Sequence, residues 1–404
     1  MEQYKLIEVQ SRADADIWLH LDRPIYKHYP NWVCPLDSDI SKVFDPELNG
    51  KFKNGEAIRW YAVDTLTGEA VGRIAAFYDR NTLEEYDQPT GGCGFFECID
   101  NQAVANLMFD ACRQWLTARG LEAMDGPINF GSRDAWWGLL VEGYEYEPLY
   151  TNPYHPPYYK ALFENYGFQN FFNQNSYVWR AENGVLSDIA LEKAHRVLAN
   201  PEYQIRDIHN TDLVEAAENL RTIYNKAWAL FTGVKEMSQQ EAQKLMRTLR
   251  PIIDPNLIYF AYHNDQPIGF FVMVPDLNCV IGKFGGKFGL IEKLRLMWEL
   301  KVRKSCDRVF GIIFGITPQF QGKGIESAIM TYILENYIQK GRSPYKSFEF
   351  AWIGDFNPVM NKMITNYVCA TKHKMHTTYR YLFDRTKEFT RCPRVGFKRP
   401  AKTE

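Results

Sequence analysis

The sequence predicts two α+β domains, each a mixed, mostly antiparallel, twisted sheet flanked by helices. Its length of 404 residues exceeds one ordinary domain and suits two of about 200 residues each. Hydrophobic residues make up 46% of the chain, enough for two sizeable cores. The two halves also present strands and helices in the same order. We therefore expect one fold plan that occurs twice.

Each half begins with a strand and a helix and continues with a pair of strands joined by a polar turn. The first strands are predicted at 4–9 and 203–208 and the hairpins at 57–79 and 257–276. A further strand then leads into a long amphipathic helix that is expected to end at Gly120 or Gly341. A shorter helix and a closing strand complete each half.

The spacing between matching elements locates an insertion in the second half. First strands and hairpin turns lie about 199 residues apart, whereas the long helices lie about 223 residues apart. We therefore predict domains at 1–180 and 202–390, a linker at 181–201, an insertion at 278–304 and a C-terminal tail at 391–404.

Composition excludes several classes of protein. The net charge of −2 gives no support for nucleic-acid binding. No run approaches the 18 apolar residues of a transmembrane helix, and the N-terminus lacks the apolar stretch of a signal peptide. The eight cysteines form no CxxC pairs, which is typical of a reduced, intracellular protein. The expected location is the cytoplasm.

The segment Gln319–Gly324 lies where a predicted strand meets a predicted helix. Glycine in a first helical turn costs about 0.5–1 kcal/mol relative to alanine, so Gly322 and Gly324 indicate close access to the backbone. Exposed N–H groups and the unpaired donors of a helix start form an anion site suited to phosphate or pyrophosphate. Lys323 adds positive charge at its rim. Neither GxxxxGK[ST] nor GxGxxG occurs, which argues against a P-loop or a dinucleotide fingerprint.

This segment resembles the acyl-CoA loop of the GNAT N-acetyltransferase superfamily, whose pattern is Gln/Arg-x-x-Gly-x-Gly/Ala. Gln319, Gly322 and Gly324 match that pattern. The resemblance covers 203–383 and, more faintly, 4–180, and it implies a tandem GNAT protein with a degenerate first copy. It further implies an acyl-CoA-dependent N-acyltransferase, first of all an N-acetyltransferase. Its co-substrate would be acetyl-CoA or another acyl-CoA, and its acceptor a small-molecule or peptide amine.

The resemblance also implies which residues bind the co-substrate. Backbone groups near Phe314, Gly315 and Ile316 would pair with the pantetheine arm. Asn357 would contact the same arm. The N–H groups of one short stretch would hold the pyrophosphate, namely those of Gln321, Gly322, Lys323, Gly324, Ile325 and Glu326. Glu326 stands where the family usually has a small residue, and its carboxylate is expected to repel a pyrophosphate.

Direct attack of an amine on a thioester needs a base for the amine and an acid for the leaving thiolate. The family commonly has a tyrosine seven residues after the asparagine, but position 364 is isoleucine. Tyr367, almost one turn later, is the candidate acid; the alternative is a packed aromatic residue. Glu349 is the candidate base; the alternative is an edge or solvent-facing strand residue.

A metal site is not expected. Cys369, His373 and His376 are spaced loosely like zinc ligands, but no fourth ligand is near.

Three further segments bear on function. The first half lacks the glycine loop and has Asp100 as its expected helix cap, so the first domain is not expected to bind CoA. The aromatic and proline-rich segment 127–159 either lines a substrate pocket or forms a buried connection. Residues 283–304 carry seven Lys/Arg against Glu292 and Glu299. This basic amphipathic helix either contacts an anionic membrane or an acyl chain, or packs its apolar stripe on the domain.

Two alternatives to an N-acyltransferase of small amines remain open at this point. One is a non-catalytic acyl-CoA-binding or interaction module, favoured by Glu326 and by the isoleucine at position 364. The other is a peripheral membrane transferase acting on long-chain substrates, favoured by the basic insertion and the aromatic segment.

Overall fold

A computed structural model describes residues 3–83, 88–209, 211–228 and 236–394 of the chain. Its strands are β1 Tyr4–Glu8, β2 Gly55–Asp64, β3 Ala70–Asp79, β4 Thr90–Cys98, β5 Ala123–Gly126, β6 Leu139–Glu142, β7 Gln169–Arg180, β8 Tyr203–Asp207, β9 Ile258–His263, β10 Gln266–Pro275, β11 Arg308–Ile316, β12 Ser347–Gly354 and β13 Thr371–Leu382. Most of the predicted C-terminal tail, 395–404, lies outside the described residues.

The helices follow the same repeated order. They are α1 Arg12–His20, α2 Asp22–Tyr26, α3 Asp37–Val43, α4 Arg80–Leu83, α5 Gln102–Thr117, α6 Tyr159–Tyr166, α7 Asp188–Leu198, α8 Leu213–Trp228, α9 Gln239–Leu249, α10 Asn278–Ile281, α11 Leu290–Trp298, α12 Ile325–Ile333 and α13 Pro358–Asn366. Helices α11 and α12 each continue into a π-helical turn, at Glu299–Arg303 and Leu334–Ile338.

The chain forms two compact units whose residues are not contiguous in sequence. Unit 1 combines Met1–Asn175 with Val280–Lys293 and His373–Pro393, and unit 2 is built from Ser176–Cys279 and Leu294–Lys372. The predicted domain limits follow the order of elements along the chain, whereas these units follow contacts in space. The chief difference is β13, whose residues from His373 onward belong to unit 1. The stretch predicted as a linker contains α7, which belongs to unit 2.

The sheet of unit 1 has the order β1-β2-β3-β4-β5-β13, and β6 also pairs with β13. Its neighbours are antiparallel except for the parallel pair β4–β5. Helix α5 buries apolar side chains at three- and four-residue spacing, among them Met108 and Phe109. Phe109 and Phe96 stack with ring centroids 4.9 Å apart, and Phe163 packs edge-on against both. This aromatic cluster is the centre of the core on that face.

The sheet of unit 2 has the order β8-β9-β10-β11-β12, with the end of β7 beside β12. In this sheet β11 and β12 are parallel, whereas the pairs β8–β9, β9–β10 and β10–β11 are antiparallel. Helices α7 and α12 cover one face of the sheet, over a core that includes Phe271, Val309 and Phe348. Helices α8 and α9 cover the opposite face, over a core that includes Phe270 and Val272. The predicted mixed, mostly antiparallel sheets flanked by helices are thus confirmed.

Local turn chemistry explains several predicted boundaries. In the second hairpin, Asn264 and Asp265 both have positive φ, +48° and +60°, as a two-residue turn between twisted strands requires. Gly341 has φ +65° and follows the long helix at its predicted end. Segment 127–159 contains β6 and several buried side chains, including Leu149 and Tyr154. Much of this segment is therefore a buried connection within unit 1.

Unit 1 buries one cation between two carboxylates. Arg73 is 1% exposed, and its guanidinium lies 3.5 Å from Glu97 and 3.7 Å from Asp22. The hydroxyl of Tyr159 donates to Glu97 over 2.9 Å. Burial raises the pKa of Glu97 to about 7, although the charge of Arg73 acts to lower it. Arg73 supplies one positive charge for the two buried carboxyl groups of Asp22 and Glu97. Ionisation of both carboxyl groups would therefore oppose folding.

The variant Glu97→Gln tests this charge balance. Because the folded pKa is raised above its usual 4.5, the stability linked to the protonated carboxyl is complete below about pH 4.5. That stability is lost as the pH rises through about 7. We expect the free energy of unfolding of the variant, relative to the wild type, to increase by about 3 kcal/mol between pH 4.5 and pH 8.5. Urea unfolding at both pH values measures it.

Glu122→Gln is the matched control, because the Glu122 side chain is 44% exposed and pairs with Lys387 at the surface of the same unit. Its effect on the free energy of unfolding should stay below about 1 kcal/mol at both pH values, as for other surface ion pairs. A pH-independent difference for Glu97→Gln would contradict the buried-carboxyl interpretation.

Candidate functional site

Strands β11 and β12 pair over only part of their length. The parallel register runs from Arg308↔Ser347 to Gly311↔Phe350, yet β11 continues to Ile316 and β12 to Gly354. On its other side β11 stays paired with β10 as far as Ile316. The two strands thus separate after Gly311. Beyond that point β11 has one edge that β12 does not cover.

A β-bulge accounts for the separation. In the β10–β11 register, Val272 faces Ile313 and Met273 faces Gly311, so Ile312 is an extra residue on β11. A bulge of this kind bends the strand and increases its twist. It lies directly after the last residue of β11 that pairs with β12. The bend therefore turns the end of β11 away from its parallel neighbour.

The free edge leads to the start of α12. Gly324 is the N-cap of this helix with φ +90° and no side-chain cap, and Gly322 has φ +73°. The N–H groups of Gln321 and Lys323 donate to Pro318 and Phe320. Within the described residues, those of Gly322, Gly324, Ile325 and Glu326 have no acceptor. Four of the six predicted pyrophosphate donors are therefore available at an uncapped helix start.

Helix α7 explains why residue 324 is glycine. A Cβ at this position would lie 3.2 Å from the Cβ of Lys193 and 3.4 Å from its carbonyl oxygen, and the positive φ adds strain. A Cβ on Gly322 would meet nothing within 4 Å. Gly324 thus serves packing and backbone conformation, whereas Gly322 leaves the backbone open to solvent.

Glu326 is turned to the side of α12 that faces α7 and α13. It lines a narrow cavity with essentially no room for water, together with Leu186, Ala190, Ser327, Met330, Met363, Tyr367 and Val368. Its Oε2 is buried and, among the described residues, has no hydrogen-bond partner. The carboxylate thus lies against apolar and hydroxyl-bearing side chains.

The candidate acid Tyr367 lies at the end of α13. Its hydroxyl accepts a hydrogen bond from the Lys193 Nζ over 3.1 Å, and the ammonium also lies 4.6 Å from the centre of the ring. Lys193 was missed from the sequence because it falls in the stretch interpreted as a linker. This ammonium can stabilise negative charge on the phenolic oxygen.

The candidate base Glu349 is buried, so the alternative of a solvent-facing residue is wrong. It is 1% exposed and stands opposite Phe310, one residue before the strands separate. Nearby, Arg308 and Asp276 form an ion pair of 2.6 Å. Burial acts to lower the pKa of Arg308, but the charges of Asp276, Cys279 and Glu349 outweigh it and raise that pKa. Glu349 therefore belongs to a buried cluster of charges.

Glu349 and Tyr367 lie on opposite faces of the unit 2 sheet. Phe348 and Phe350 point to the face covered by α7 and α12, where Tyr367 also packs. Because side chains alternate along a strand, Glu349 points to the other face.

The remaining predicted contacts have mainly local roles. The Asn357 side chain caps α13 by accepting from the Met360 N–H over 3.1 Å, which leaves its amide N–H₂ as donor. Gln319 is exposed on a short turn. Gln321, in contrast, donates from its side chain to the Ile316 carbonyl over 2.9 Å. This bond ties the loop to the free end of β11 and engages the carbonyl of Ile316, whose backbone was predicted, with that of Phe314 and Gly315, to pair with the pantetheine arm.

In unit 1 the corresponding edge is filled. Strand β4 has a bulge at Phe95 and Phe96, which together face Ile74. The Ile128 N–H donates to the Cys93 carbonyl over 2.9 Å, and a Cβ on Gly94 would collide with the Ile128 carbonyl. The helix cap is Asn101, which accepts from two N–H groups, so the prediction of Asp100 is wrong. The chain itself occupies the places that are open in unit 2.

The sequence suggested loose metal spacing for three residues. Cys369 is exposed, whereas His376 is buried and bonds to the Pro153 carbonyl over 2.9 Å. In the described part of the chain, no group of three or more His, Cys, Asp or Glu is arranged to hold a metal ion.

Comparison with known proteins gives two relatives of similar length. Protein YghO of Escherichia coli (strain K12) is 26% identical over 372 residues, which cover 91% of this chain and 93% of YghO. A protein named bacterial ceramide synthase, from Caulobacter vibrioides, is 27% identical over 384 residues, which cover 93% of this chain and 96% of the relative. No protein-family model matches the chain.

Two solved structures share the fold. A tandem GNAT protein from the clavulanic acid biosynthesis pathway matches with a TM-score of 0.52 and 9% identity, over 94% of this chain and 98% of its own. A GCN5-related glucosamine N-acetyltransferase region in a fungal multi-domain protein matches with a TM-score of 0.53 and 11% identity. That match covers 94% of this chain and 38% of the fungal one. The chain has the tandem GNAT fold, as its sequence predicted.

Gly324→Ala tests how tightly the loop is packed. The αL conformation should cost about 1–2 kcal/mol of stability for any alanine at such a position. Crowding against Lys193 should add to that cost. Gly341→Ala is the control, because it has a similar positive φ and open space around it. We expect the lower Tm for Gly324→Ala; equal Tm values for the two variants would contradict close packing at Gly324.

Proposed function

We propose that this chain is an acyl-CoA-dependent N-acyltransferase that acts on a long-chain, lipid-like amine. The carrying observation is the separation of β11 from β12 beside an uncapped, glycine-containing helix start. The tandem GNAT fold supports acyl transfer from CoA. The likeness to a protein named bacterial ceramide synthase favours a long-chain base as acceptor and a fatty acyl group as donor, because a ceramide is the amide of these two.

The residues present fit an acyl-CoA substrate. The free N–H groups of Gly322, Gly324, Ile325 and Glu326 converge at the positive end of α12 and suit a diphosphate. The free edge of β11 beyond Gly311 suits the amide groups of a pantetheine arm, which would add to it like a strand. Because the Glu326 carboxylate lines a cavity against α7 and α13, the helix start itself remains open to an anion.

The two sheet faces suggest how the proton transfers are divided. Attack of the amine forms an N–C bond at the thioester carbonyl, and collapse of the adduct breaks the C–S bond. Glu349, on one face, would accept the proton that the amine nitrogen loses. Tyr367, on the other face, would give a proton to the departing thiolate, and Lys193 would stabilise the resulting phenolate. A thioester lying in the separation would have one group on each side.

Ligand binding tests the placement of the diphosphate. Palmitoyl-CoA should raise the Tm of the wild type, and Gly322→Glu should abolish this shift, because a carboxylate would face the diphosphate. Gly341→Glu adds the same charge to a glycine of similar φ, also in open space, at the far end of the helix. It should retain the shift. If Gly322→Glu also retained the Tm shift, the CoA site would have to lie elsewhere on the chain.

Turnover tests the function itself. With palmitoyl-CoA and the long-chain base sphinganine together, the wild type should release thiol and form the N-acyl amide, detected by mass spectrometry. Tyr367→Phe should lower kcat about 10²-fold with little change in KM, and Lys193→Met should lower kcat less. Glu349→Gln should also lower kcat about 10²-fold, because the amine would lose its proton acceptor.

Tyr332→Phe is the matched control, since it removes a hydroxyl from another half-buried tyrosine of the same core. Its kcat should stay within twofold of the wild-type value. A Tm shift with palmitoyl-CoA but no thiol release across long-chain and short amines would instead support the non-catalytic acyl-CoA-binding module.

A further inference from the structure

The inserted helix α11 and its π-helical continuation turn their apolar side outward. Five large hydrophobic residues are exposed there: Leu290 by 74%, Ile291 by 77%, Leu294 by 63%, Trp298 by 55% and Val302 by 58%. They are five of the twelve large hydrophobic side chains found exposed in the described chain, yet they fall within 13 residues. The alternative that the apolar stripe packs on the domain is therefore wrong for most of its residues, although Met297 and Leu300 are partly buried.

The buried side of the same segment carries a charged residue as well as an apolar one, which is unusual for an amphipathic helix. Leu296 is 5% exposed and Glu299 is 6% exposed. The Glu299 carboxylate pairs with Arg303 over 3.1 Å and accepts from the Ser305 hydroxyl over 2.7 Å. An acidic group is thus paired and buried while hydrophobic groups are exposed. Packing within the chain does not account for that distribution.

The exposed residues share one face. At about 100° per residue they fall within roughly 120° of the helix circumference. The segment 290–303 is about 20 Å long at 1.5 Å per residue. This continuous apolar band is too narrow and too short to cross a bilayer, but it can lie along a surface. In the described residues, no helix is both long and apolar enough to span a membrane.

Basic side chains border this band. Lys293 and Arg295 project on its two flanks, and further Lys/Arg residues stand close along the chain at 283, 287, 301, 303 and 304. Glu292 accepts from the Gly289 N–H over 2.8 Å, and the buried Glu299 pairs with Arg303. Six Lys/Arg against these two carboxylates leave the segment 287–304 with a net positive charge.

We propose that the segment 287–304 is a docking surface for an anionic lipid bilayer. Its apolar band would enter the headgroup boundary, with Trp298 at the interface and the flanking cations on lipid phosphates. Charge complementarity favours this occupant over a second copy of the chain, since two such faces would bring like charges together. The docking is independent of the proposed function. Its purpose, to bring the enzyme to an amine in the membrane, rests on the proposed function.

Vesicle co-sedimentation tests the proposal. The full chain should bind vesicles of phosphatidylcholine with 30% phosphatidylglycerol, and bind pure phosphatidylcholine at least tenfold more weakly. Ile291→Ser/Leu294→Ser/Trp298→Ser should reduce the partition coefficient at least tenfold. Leu48→Ser/Leu66→Ser/Val185→Ser is the matched control, because it removes equally exposed hydrophobic residues from other places. It should bind like the wild type.

Charge and function are tested separately. Lys293→Glu/Arg295→Glu should also weaken binding at least tenfold, and 0.5 M salt should reduce wild-type binding severalfold. Gly322→Glu, which targets the proposed CoA site, should bind vesicles normally. Equal binding of the triple variant and its control would overturn the proposal. The proposal would also be overturned if the wild type did not bind vesicles and sedimentation velocity showed self-association that depends on residues 291, 294 and 298.

Discussion

The candidate site depends on the parting of two parallel strands. Beyond Gly311, β11 keeps its hydrogen bonds to β10 but not to β12, because the bulge at Ile312 turns it away. Backbone groups on a free strand edge must find partners, and a linear amide-containing molecule is well suited to supply them. The loop before α12 is bonded to the end of β11 through Gln321, and Glu349 stands one residue before the strands part. Without this gap between the strands, the helix start would be an anion site with no route for an acyl chain.

In unit 1 the corresponding strand edge is covered by the chain itself. Its β4 also carries a bulge, but the backbone of Ile128 takes the place that a ligand would need, and Asn101 caps the following helix. The first difference fills a backbone acceptor of β4, the Cys93 carbonyl, and the second satisfies backbone donors at the start of α5. The duplicated fold thus retains its framework in unit 1 without an open edge.

Two groups of buried charges serve different ends in the two units. In unit 1 the Arg73 cluster lies in a tightly packed core, and burial together with the charge of Asp22 raises the pKa of Glu97 to about 7 against the opposing charge of Arg73. In unit 2 the carboxylate of Glu349 lies near Arg308 and Asp276, one residue before the strands part. A buried carboxylate at the rim of a gap is a more suitable proton acceptor than one sealed in a core. Glu97 and Glu349 are both buried, so they differ mainly in that Glu349 lies beside the strand separation.

The order of elements, the hairpin turns, the helix ends and the glycine loop could be predicted from the sequence alone. Those features rest on local chemistry, such as positive φ at Asn264 and Gly341 and alternation along strands. Only the tertiary structure decided that Glu349 is buried, that Lys193 reaches Tyr367, that Asn101 rather than Asp100 caps α5, and that β13 joins unit 1. It also decided that the stripe of α11 faces outward. A helical pattern shows which residues share a face, but contacts between residues far apart in the chain decide which face is covered.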